Sequence, residues 1–187
     1  ADKPDRKKSL YEVKSKVGLS KFDLNENLVL RPQDSYLDFN AIAKGYAVDQ
    51  IAEFLENNDI YNFLIEVGGE IRASGKNLAL YNPWNIGIDM PRFDGGRSIY
   101  STLLVSDISL ASSGTYRKYK IDSLGNKYAH IIDPRTGKPT KTNILSVNVK
   151  TNKCIDADAY ATALHTMTIE EIKDLSLIHI SEPTRRY

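Results

Sequence analysis

The chain has 187 residues, a formal net charge of +1, 41% hydrophobic residues and 26% charged residues. These values are ordinary for a soluble globular protein of one domain, or for part of a larger one. The low net charge predicts no nucleic-acid or membrane partner bound by bulk electrostatics. No apolar run approaches the roughly 18 residues that a membrane span requires.

The first residues and the cysteine content further limit the class of protein and the kind of metal site. The start of the chain, ADKPDRKKSLYEV, is charged and has no apolar signal-peptide segment. The single cysteine, Cys154, excludes an internal disulfide. With only three histidines, a zinc site of His and Cys ligands is disfavoured, so any metal is expected to be bound by oxygen.

The first elements are read from hydrophobic spacing. Leu10, Val13 and Val17 predict a short helix after a polar lead. The stretch KFDLNENLVLRP predicts a small hairpin that turns at residues 25–27. Apolar residues with a period near 3.6 then predict a long helix over 41–57, with Asn40 as its N-cap.

Strands and two further helices follow. The predicted strands are NFLIEV, EIRASG, WNIGID, SIYSTLLVS, ISLASS, RKYKID, KYAHIID and ILSVNVKT, with DSLGN as a hairpin loop. A second helix is predicted from about Asp156 to Met167, and a capping box of Thr168 and Glu171 opens a third. This order predicts an α+β fold with a mostly antiparallel sheet and packed helices.

Two glycine-containing motifs in the first half of the chain could bind a ligand. In NAIAKGYAVDQ, Lys44 and Gly45 lie near a helix start, whose free N–H groups and dipole suit an anion. The alternative is an alanine-rich helix packed on a sheet, with the Lys44 side chain extending to water. In VGGEI, Gly68 and Gly69 mark either a tight bend or a place where a ring or phosphate lies against backbone.

Two motifs in the second half carry oxygen-rich side chains. Ser112, Ser113 and Gly114 follow a strand and could hydrogen-bond a phosphate or a flavin edge, or form an ordinary loop; no G-x-S-x-G elbow supports a serine hydrolase. In DADAYATALHTM, Asp158 and Thr162 share one helical face and could ligate a hard cation such as Mg²⁺. The alternative is an acidic residue favoured by the helix dipole, with Thr162 bonded back to a carbonyl. Asp156 is interpreted as such a cap.

The fifth motif is AHIIDPRTGKP. It places His130 near the end of a strand, followed by a turn that begins at Asp133 and closes at Gly137. An Asx-turn ahead of Pro134 would explain Asp133 without any function. His130 would then be one side chain of a sheet face.

Taken in order, AIAKGYAVD, VGGEI, PWNIGI, ASSGTYRKY, HIIDPRTGKP and ADAYATAL resemble the ApbE-type FAD:protein FMN transferases from about residue 38 to residue 164. The resemblance implies an enzyme that binds FAD and Mg²⁺, transfers FMN to a threonine hydroxyl of an acceptor protein and releases AMP. Some such enzymes hydrolyse FAD to FMN and AMP instead. It also implies a tunnelling-fold-like architecture and a bacterial periplasmic location, or one at the outer face of the cytoplasmic membrane.

The resemblance also implies roles for individual residues. Asp158, Thr162 and the Ala41 carbonyl would hold the metal. His130 would take the proton of the attacking hydroxyl, and Lys44 would add positive charge near the adenylate. The residues implied to line the nucleotide are Gly68, Gly69, Glu70, Ser112, Ser113, Gly114, Asp133 and Thr136, of which Asp133 and Thr136 are expected to shape a loop.

Several departures from the family pattern bear on the function. Glu70 stands where the family commonly has Asp, DFN precedes the helix motif where Leu-Gly is usual, and SSG replaces Thr-Ser-Gly. An N-terminal portion with a Phe-Asp-Pro-Thr type segment is absent, so 1–175 is expected to be a partial domain with an incomplete isoalloxazine pocket. Residues 176–187 are interpreted as a non-native or disordered tail. A non-catalytic flavin-binding fragment is therefore a third hypothesis.

Overall fold

A computed structural model describes residues 10–92, 94, 96–114, 119–121, 127–129, 131–140 and 144–175 of the chain. In chain order, its elements are α1 (Leu10–Lys14), a 3-10 turn (Leu19–Lys21), β1 (Asp23–Asn25), β2 (Leu28–Leu30), α2 (Ala43–Glu56), β3 (Phe63–Val67), β4 (Glu70–Ser74), β5 (Trp84–Asp89), β6 (Ile99–Val105), β7 (Ile108–Gly114), β8 (Tyr119–Ile121), β9 (Lys127–Ala129), β10 (Ile132–Asp133), β11 (Lys138–Pro139), β12 (Ser146–Thr151), α3 (Cys154–Leu164) and α4 (Ile169–Asp174).

The central feature is a four-stranded antiparallel sheet in the order β12-β7-β4-β3. Strand β7 pairs with β12, where Ser112 lies opposite Asn148, and with β4, where Leu110 lies opposite Ile71. The separate hairpin β5–β6 pairs Trp84 with Val105. The order gives β7 and β4 a hydrogen-bonded neighbour on each edge.

Strand β7 is buried on both faces, as its alternating side chains require. Leu110 packs in a cluster with Ala73, Ile86 and Val105, under the hairpin β5–β6. The neighbouring Ala111 points the other way, into a cluster with residues of β12, α3 and α4. The sheet therefore has a hairpin on one face and helices on the other.

Helix α2 covers the β3 side of the helical face. Its Val48 and Ala52 are buried against Phe63 and Ile65 of β3, and Cys154 at the start of α3 closes the same cluster. Helices α2 and α3 thus lie side by side on one face of the sheet, and the candidate site lies where they meet.

The predicted α+β class and the antiparallel sheet are confirmed. The hairpin at the start of the chain turns at Glu26–Asn27, between β1 and β2, as predicted. The capping box of Thr168 and Glu171 is also present at α4. These features depend on local sequence, which explains why they could be read from it.

Other details of the prediction were wrong. Helix α2 begins at Ala43 rather than at residue 41. Its N-cap is therefore Ile42, which makes no side-chain cap bond, and not Asn40. The Asn40 backbone N–H instead donates to Asp38 at 2.8 Å, which forms a turn ahead of the helix. Helix α3 covers 154–164, not 156–167. It starts earlier than predicted because Asp49 of α2 accepts hydrogen bonds from N–H groups of its first turn.

The stretch KYAHIID was predicted as one strand and forms two short ones, β9 and β10, and the two-residue strand β11 was not predicted. β10 and β11 pair across the turn at 134–137. His130, the DSLGN loop and the tail 176–187 lie outside the described residues.

Candidate active site

The site begins with a close approach of helices α2 and α3 at Gly45. A Cβ atom added to Gly45 would lie 2.7 Å from the backbone carbon of Cys154 and 2.7 Å from the Cα of Ile155. Real Cβ atoms do not come this near to backbone, so only glycine fits without displacing α3. The glycine therefore serves the packing of α2 on α3, whereas the predicted alternative was packing on a sheet with Lys44 extended to water.

The same approach brings a carboxylate to the start of α2. The Gly45 N–H lies in the first turn of α2, where N–H groups have no acceptor within the helix, and it donates to Asp158 Oδ2 at 3.0 Å. The next amide, that of Tyr46, makes a regular helix bond to the Ile42 carbonyl. Within the described part of the chain, no hydrogen bond is made to the carbonyl of Ala41, which lies two residues before the helix.

Lys44 lies between two buried carboxylates. Its ammonium forms an ion pair with Glu70 Oε1 and lies 3.9 Å from Asp158 Oδ1. Glu70 is only 1% exposed and Asp158 only 4%. Burial raises the pKa of Glu70, an effect that the hydrogen bond from Lys44 partly opposes. The cluster therefore carries two negative charges and one positive charge in a largely dry environment.

Glu70 owes its position to the glycine pair before it. Gly68 and Gly69 have φ values of +62° and +102° and form a two-residue turn, with Val67 opposite Glu70. The turn brings the first residue of β4 against the Lys44 side chain, since a Cβ on Gly68 would lie 3.4 Å from Lys44 Cδ. A Cβ on Gly69 would meet no atom of the described residues within 4 Å, so among these residues the backbone here is open to a ligand.

Helix α3 is capped by a residue of α2 that the sequence analysis did not identify. Asp49 accepts hydrogen bonds from the N–H groups of Cys154 and Ile155, at 2.8 and 2.9 Å. Asp156 lies exposed in the first turn, where the helix dipole favours its charge, but it is not the residue that caps the helix. The sequence signal that could have identified Asp49 is a carboxylate four residues after Gly45, on the packed face of α2.

One face of α3 connects the predicted metal ligands with the predicted nucleotide-lining serines. Asp158, Thr162 and His165 follow one another at spacings of four and three residues, so they share that face over about 10 Å. The Thr162 hydroxyl makes no bond back to a carbonyl in the described region, in contrast to Thr166, which donates to Ala163 at 2.8 Å. Its oxygen is thus not committed to the helix backbone.

His165 is fully buried and joins α3 to the end of β7. Its Nε2 lies 3.2 Å from the Ile144 carbonyl and its Nδ1 lies 3.2 Å from the Ser113 hydroxyl. A carbonyl can only accept, so the neutral ring carries its proton on Nε2, and Ser113 donates to Nδ1. Ser112 donates to Asn148 at 2.6 Å. Both serines of the motif therefore have protein partners.

The turn after β10 is built around Asp133. Its carboxylate accepts from the backbone N–H of Arg135 at 2.8 Å, which is the predicted Asx-turn, and from Arg135 Nε at 3.0 Å. The Asp133 carbonyl accepts from Gly137, whose φ is +70°. Thr136 is bonded within the same turn, to the N–H of Lys138. Asp133 and Thr136 thus shape the loop, as expected.

Arg135 attaches this turn to the end of α3. Its Nη2 donates to the carbonyl of Thr166 at 2.8 Å, and its Nη1 pairs with Glu171 of α4 at 2.5 Å. In the described part of the chain, no hydrogen bond or ion pair joins this turn directly to Lys44, Glu70 or Asp158. The turn is thus attached to the helical face through Thr166, just after α3, and through Glu171 of α4.

Known proteins resemble this chain in sequence and in fold. The ApbE family model matches residues 1–179. This chain belongs to the ApbE family. A FAD:protein FMN transferase of Haemophilus influenzae is 36% identical over 171 residues, and one of Vibrio cholerae is 42% identical over 132 residues. The solved flavin transferase ApbE from Vibrio cholerae matches 94% of this chain with a TM-score of 0.76 and 32% identity.

This ApbE-family chain spans about half the length of the relatives it matches. The alignments cover 89% of this chain but 49% of the Haemophilus protein, 71% of this chain but 39% of the Vibrio protein, and 56% of the Vibrio structure. The residues matched by the family model, 1–179, include the α2–α3 junction, the glycine turn and the Asp133 turn. The activity of the whole protein is therefore a matter for proposal.

Proposed function

We propose that this chain is part of an enzyme that transfers FMN from FAD to a threonine hydroxyl of an acceptor protein and releases AMP. The observation that carries the proposal is the hydrogen bond from the Gly45 N–H to the buried Asp158, which holds this carboxylate at the start of α2 beside Lys44. The names of the relatives, FAD:protein FMN transferase, support the same reaction class.

The donor atoms at the α2–α3 junction suit Mg²⁺. The Ala41 carbonyl, the Asp158 carboxylate and the Thr162 hydroxyl are all oxygens, the ligands that this cation prefers. No cluster of three or more His, Cys, Asp or Glu side chains that could hold a metal occurs among the described residues. The proposed site therefore depends on backbone and hydroxyl oxygens. When bound, the cation would neutralise charge on the diphosphate.

The residues of the chain would bind and orient the substrate around this point. Lys44, 44% exposed at its side chain, can reach a phosphate from the start of α2. The open backbone at Gly69 allows a ring or phosphate to approach closely. Glu70, Ser112, Ser113 and Gly114 are proposed to line the nucleotide, and the Asp133 turn to form a wall of the diphosphate site.

In the transfer, the threonine oxygen forms a bond to the phosphorus of the FMN half, and the bond from that phosphorus to the AMP oxygen breaks. The proton of the attacking hydroxyl goes to His130, a role proposed from the resemblance alone since His130 lies outside the described residues. Such a reaction depends mainly on positioning and on charge neutralisation, to which the Lys44 ammonium would contribute.

We further propose that the activity belongs to the bacterial periplasm or the outer face of the cytoplasmic membrane. The family resemblance is the support for this location. The described helices include none long and apolar enough to cross a membrane.

Incubation of the chain with FAD, Mg²⁺ and an acceptor that carries a target threonine tests the proposal. We expect flavin fluorescence at the acceptor band of a denaturing gel, lost when the threonine is replaced by alanine or when Asp158→Asn is used. Asp156→Asn, an exposed change in the same helix, is the matched control and should retain transfer. Absence of covalent flavin despite bound FAD would overturn the proposal, and release of FMN and AMP without acceptor would favour FAD hydrolysis.

A further inference from the structure

The ion cluster at the α2–α3 junction contains a cation of its own. Lys44 contacts Glu70 Oε1 directly and lies 3.9 Å from Asp158 Oδ1. The Glu70 and Asp158 side chains are 2% and 5% exposed, whereas the Lys44 side chain is 44% exposed. The ammonium therefore enters from the open side and supplies the positive charge nearest to both buried carboxylates in the described part of the chain.

Glu70 can accept a further hydrogen bond from Lys44. Its second oxygen, Oε2, is buried and has no hydrogen-bond partner among the described residues. A lysine ammonium has three N–H donors, so Glu70 can accept a second bond from Lys44 through this oxygen. A buried carboxylate oxygen left unpaired is costly, which favours such a bond whenever Lys44 moves off Asp158.

The site also leaves room for this movement. A Cβ on Gly68 would lie 3.4 Å from Lys44 Cδ, an ordinary contact distance, so the glycine turn lies beside the lysine stem without crowding it. Asp158 is fixed more firmly than Lys44, because its other oxygen accepts the N–H of Gly45 at 3.0 Å. Of the three charged groups, Lys44 is the one that can change partner without disturbing either helix.

We propose that Lys44 is an internal counter-ion of the cation site, which a divalent cation displaces from Asp158 and which Glu70 then retains. The inference rests on the proposed role of Asp158 as a cation ligand. Two positive charges cannot share one buried carboxylate without strong repulsion, so the cation and the ammonium compete for Asp158. Cation affinity in the nucleotide-free protein is thereby held below what the oxygen ligands alone would give.

A charge-balanced double variant tests this competition separately from net charge. Lys44→Met with Glu70→Gln removes one positive and one negative charge, so the formal charge of the cluster stays the same. The Kd for Mn²⁺ is measured on the nucleotide-free chain. Electron paramagnetic resonance reports the concentration of free Mn²⁺ during the titration. We expect the double variant to bind Mn²⁺ about fivefold more tightly than the parent chain.

The single variants and a remote control complete the experiment. Glu70→Gln alone should weaken Mn²⁺ binding, because Asp158 is then the only carboxylate of the cluster left to pair with Lys44. Adding Lys44→Met should reverse this loss of affinity. Lys16→Met with Asp34→Asn removes an exposed ion pair of 3.5 Å elsewhere and should leave the Kd unchanged. If the first double variant does not fold, Lys44→Gln with Glu70→Gln carries the same formal charge and the same expectation.

The outcomes separate the inference from the function on which it rests. A double-variant Kd equal to or above that of the parent, with binding still lost in Asp158→Asn, overturns the counter-ion role alone. Undiminished Mn²⁺ binding by Asp158→Asn overturns the cation site itself. A tighter Kd in the double variant together with loss of binding in Asp158→Asn supports both.

Discussion

Gly45 and Asp158 are joined by a hydrogen bond of 3.0 Å although 113 positions separate them in the sequence. The bond runs from the backbone N–H of α2 to a buried carboxylate of α3. It joins the two helices and holds Asp158 at the start of α2, beside Lys44. The packing of the fold and the geometry of the candidate site therefore depend on the same contact.

Gly45→Ala is expected to destabilise the protein by about 1–3 kcal/mol, because the added methyl group collides with the backbone of Cys154 and Ile155. In an ordinary helix interior the same change stabilises by about 0.5–1 kcal/mol, so the sign is diagnostic. Urea denaturation measures the difference. Ala43→Ser, an exposed change in the same helix, should have little effect. A more stable Gly45→Ala variant would show that the helices are not in contact here.

Asp49→Ala is expected to cost about 1 kcal/mol of stability, because it removes the acceptor of two N–H groups at the start of α3. Asp156→Ala removes only a favourable charge near the helix dipole and should cost less. Thermal unfolding of the two variants at one pH gives the comparison. Equal losses would mean that Asp49 does not cap α3.

His165→Leu is expected to cost about 1–3 kcal/mol, since it removes the hydrogen-bond partner of both Ser113 and the Ile144 carbonyl. Ser113→Ala removes only one of these bonds and should cost less. A double-mutant cycle by chemical denaturation isolates the His165–Ser113 coupling. Additive effects of the two changes would rule out a direct interaction.

Asp133 is expected to contribute to acid sensitivity. The Arg135 guanidinium beside it holds the pKa of the Asp133 carboxyl below its ordinary value of 3.8. A lowered pKa gives stability that is present above 3.8 and is lost as the pH falls through the folded-state value. Asp133→Asn should therefore be less stable than the parent at pH 7, with a gap that narrows below about pH 4.

Denaturation of both proteins at several pH values tests this sign. In an Arg135→Met background, the stability difference that Asp133→Asn causes at pH 7 should be smaller, because the cation that lowers the pKa of Asp133 is gone. A gap that is constant with pH would assign the effect of Asp133 to the backbone bonds of its turn instead.

Cys154 is expected to resist alkylation in the native protein. Burial raises the pKa of its thiol to about 12, so almost no thiolate is present at pH 8. Its Sγ also lies 3.5 Å from the Ile71 carbonyl. Reaction with a disulfide reagent should be slow in the folded chain and fast in denaturant. Rapid labelling of the folded chain would indicate that the α2–α3 junction opens readily.

Elements encoded by local patterns were predicted from the sequence, whereas contacts between distant segments were not. The capping box at Thr168 lies within four residues, and the Asp133 turn within five, so their residue types alone indicate the structure. Asn40 was chosen as a cap by the same local rule and was wrong. There the preceding turn, with the Asn40 N–H bonded to Asp38, decided where the helix begins.

The cap at the start of α3 illustrates the limit most directly. Asp49 and Cys154 are 105 positions apart, and no local rule relates them. His165 was counted only as a scattered histidine, although its two ring nitrogens join α3 to β7 and to Ile144. Lys44, Glu70 and Asp158 were each selected from separate motifs. Their assembly into one ion cluster required the sheet order, which local periodicity does not determine.

The separation of Gly45 from Asp158 also sets the time at which the site can form during synthesis. The first carboxylate, Glu70, can meet Lys44 as soon as α2 and the β3–β4 hairpin have left the ribosome. Asp158 emerges much later, after β7 and β12 have been made, and closing so long a loop is slow compared with local folding. A nascent chain therefore carries the Lys44–Glu70 pair long before it carries the oxygen ligands of α3.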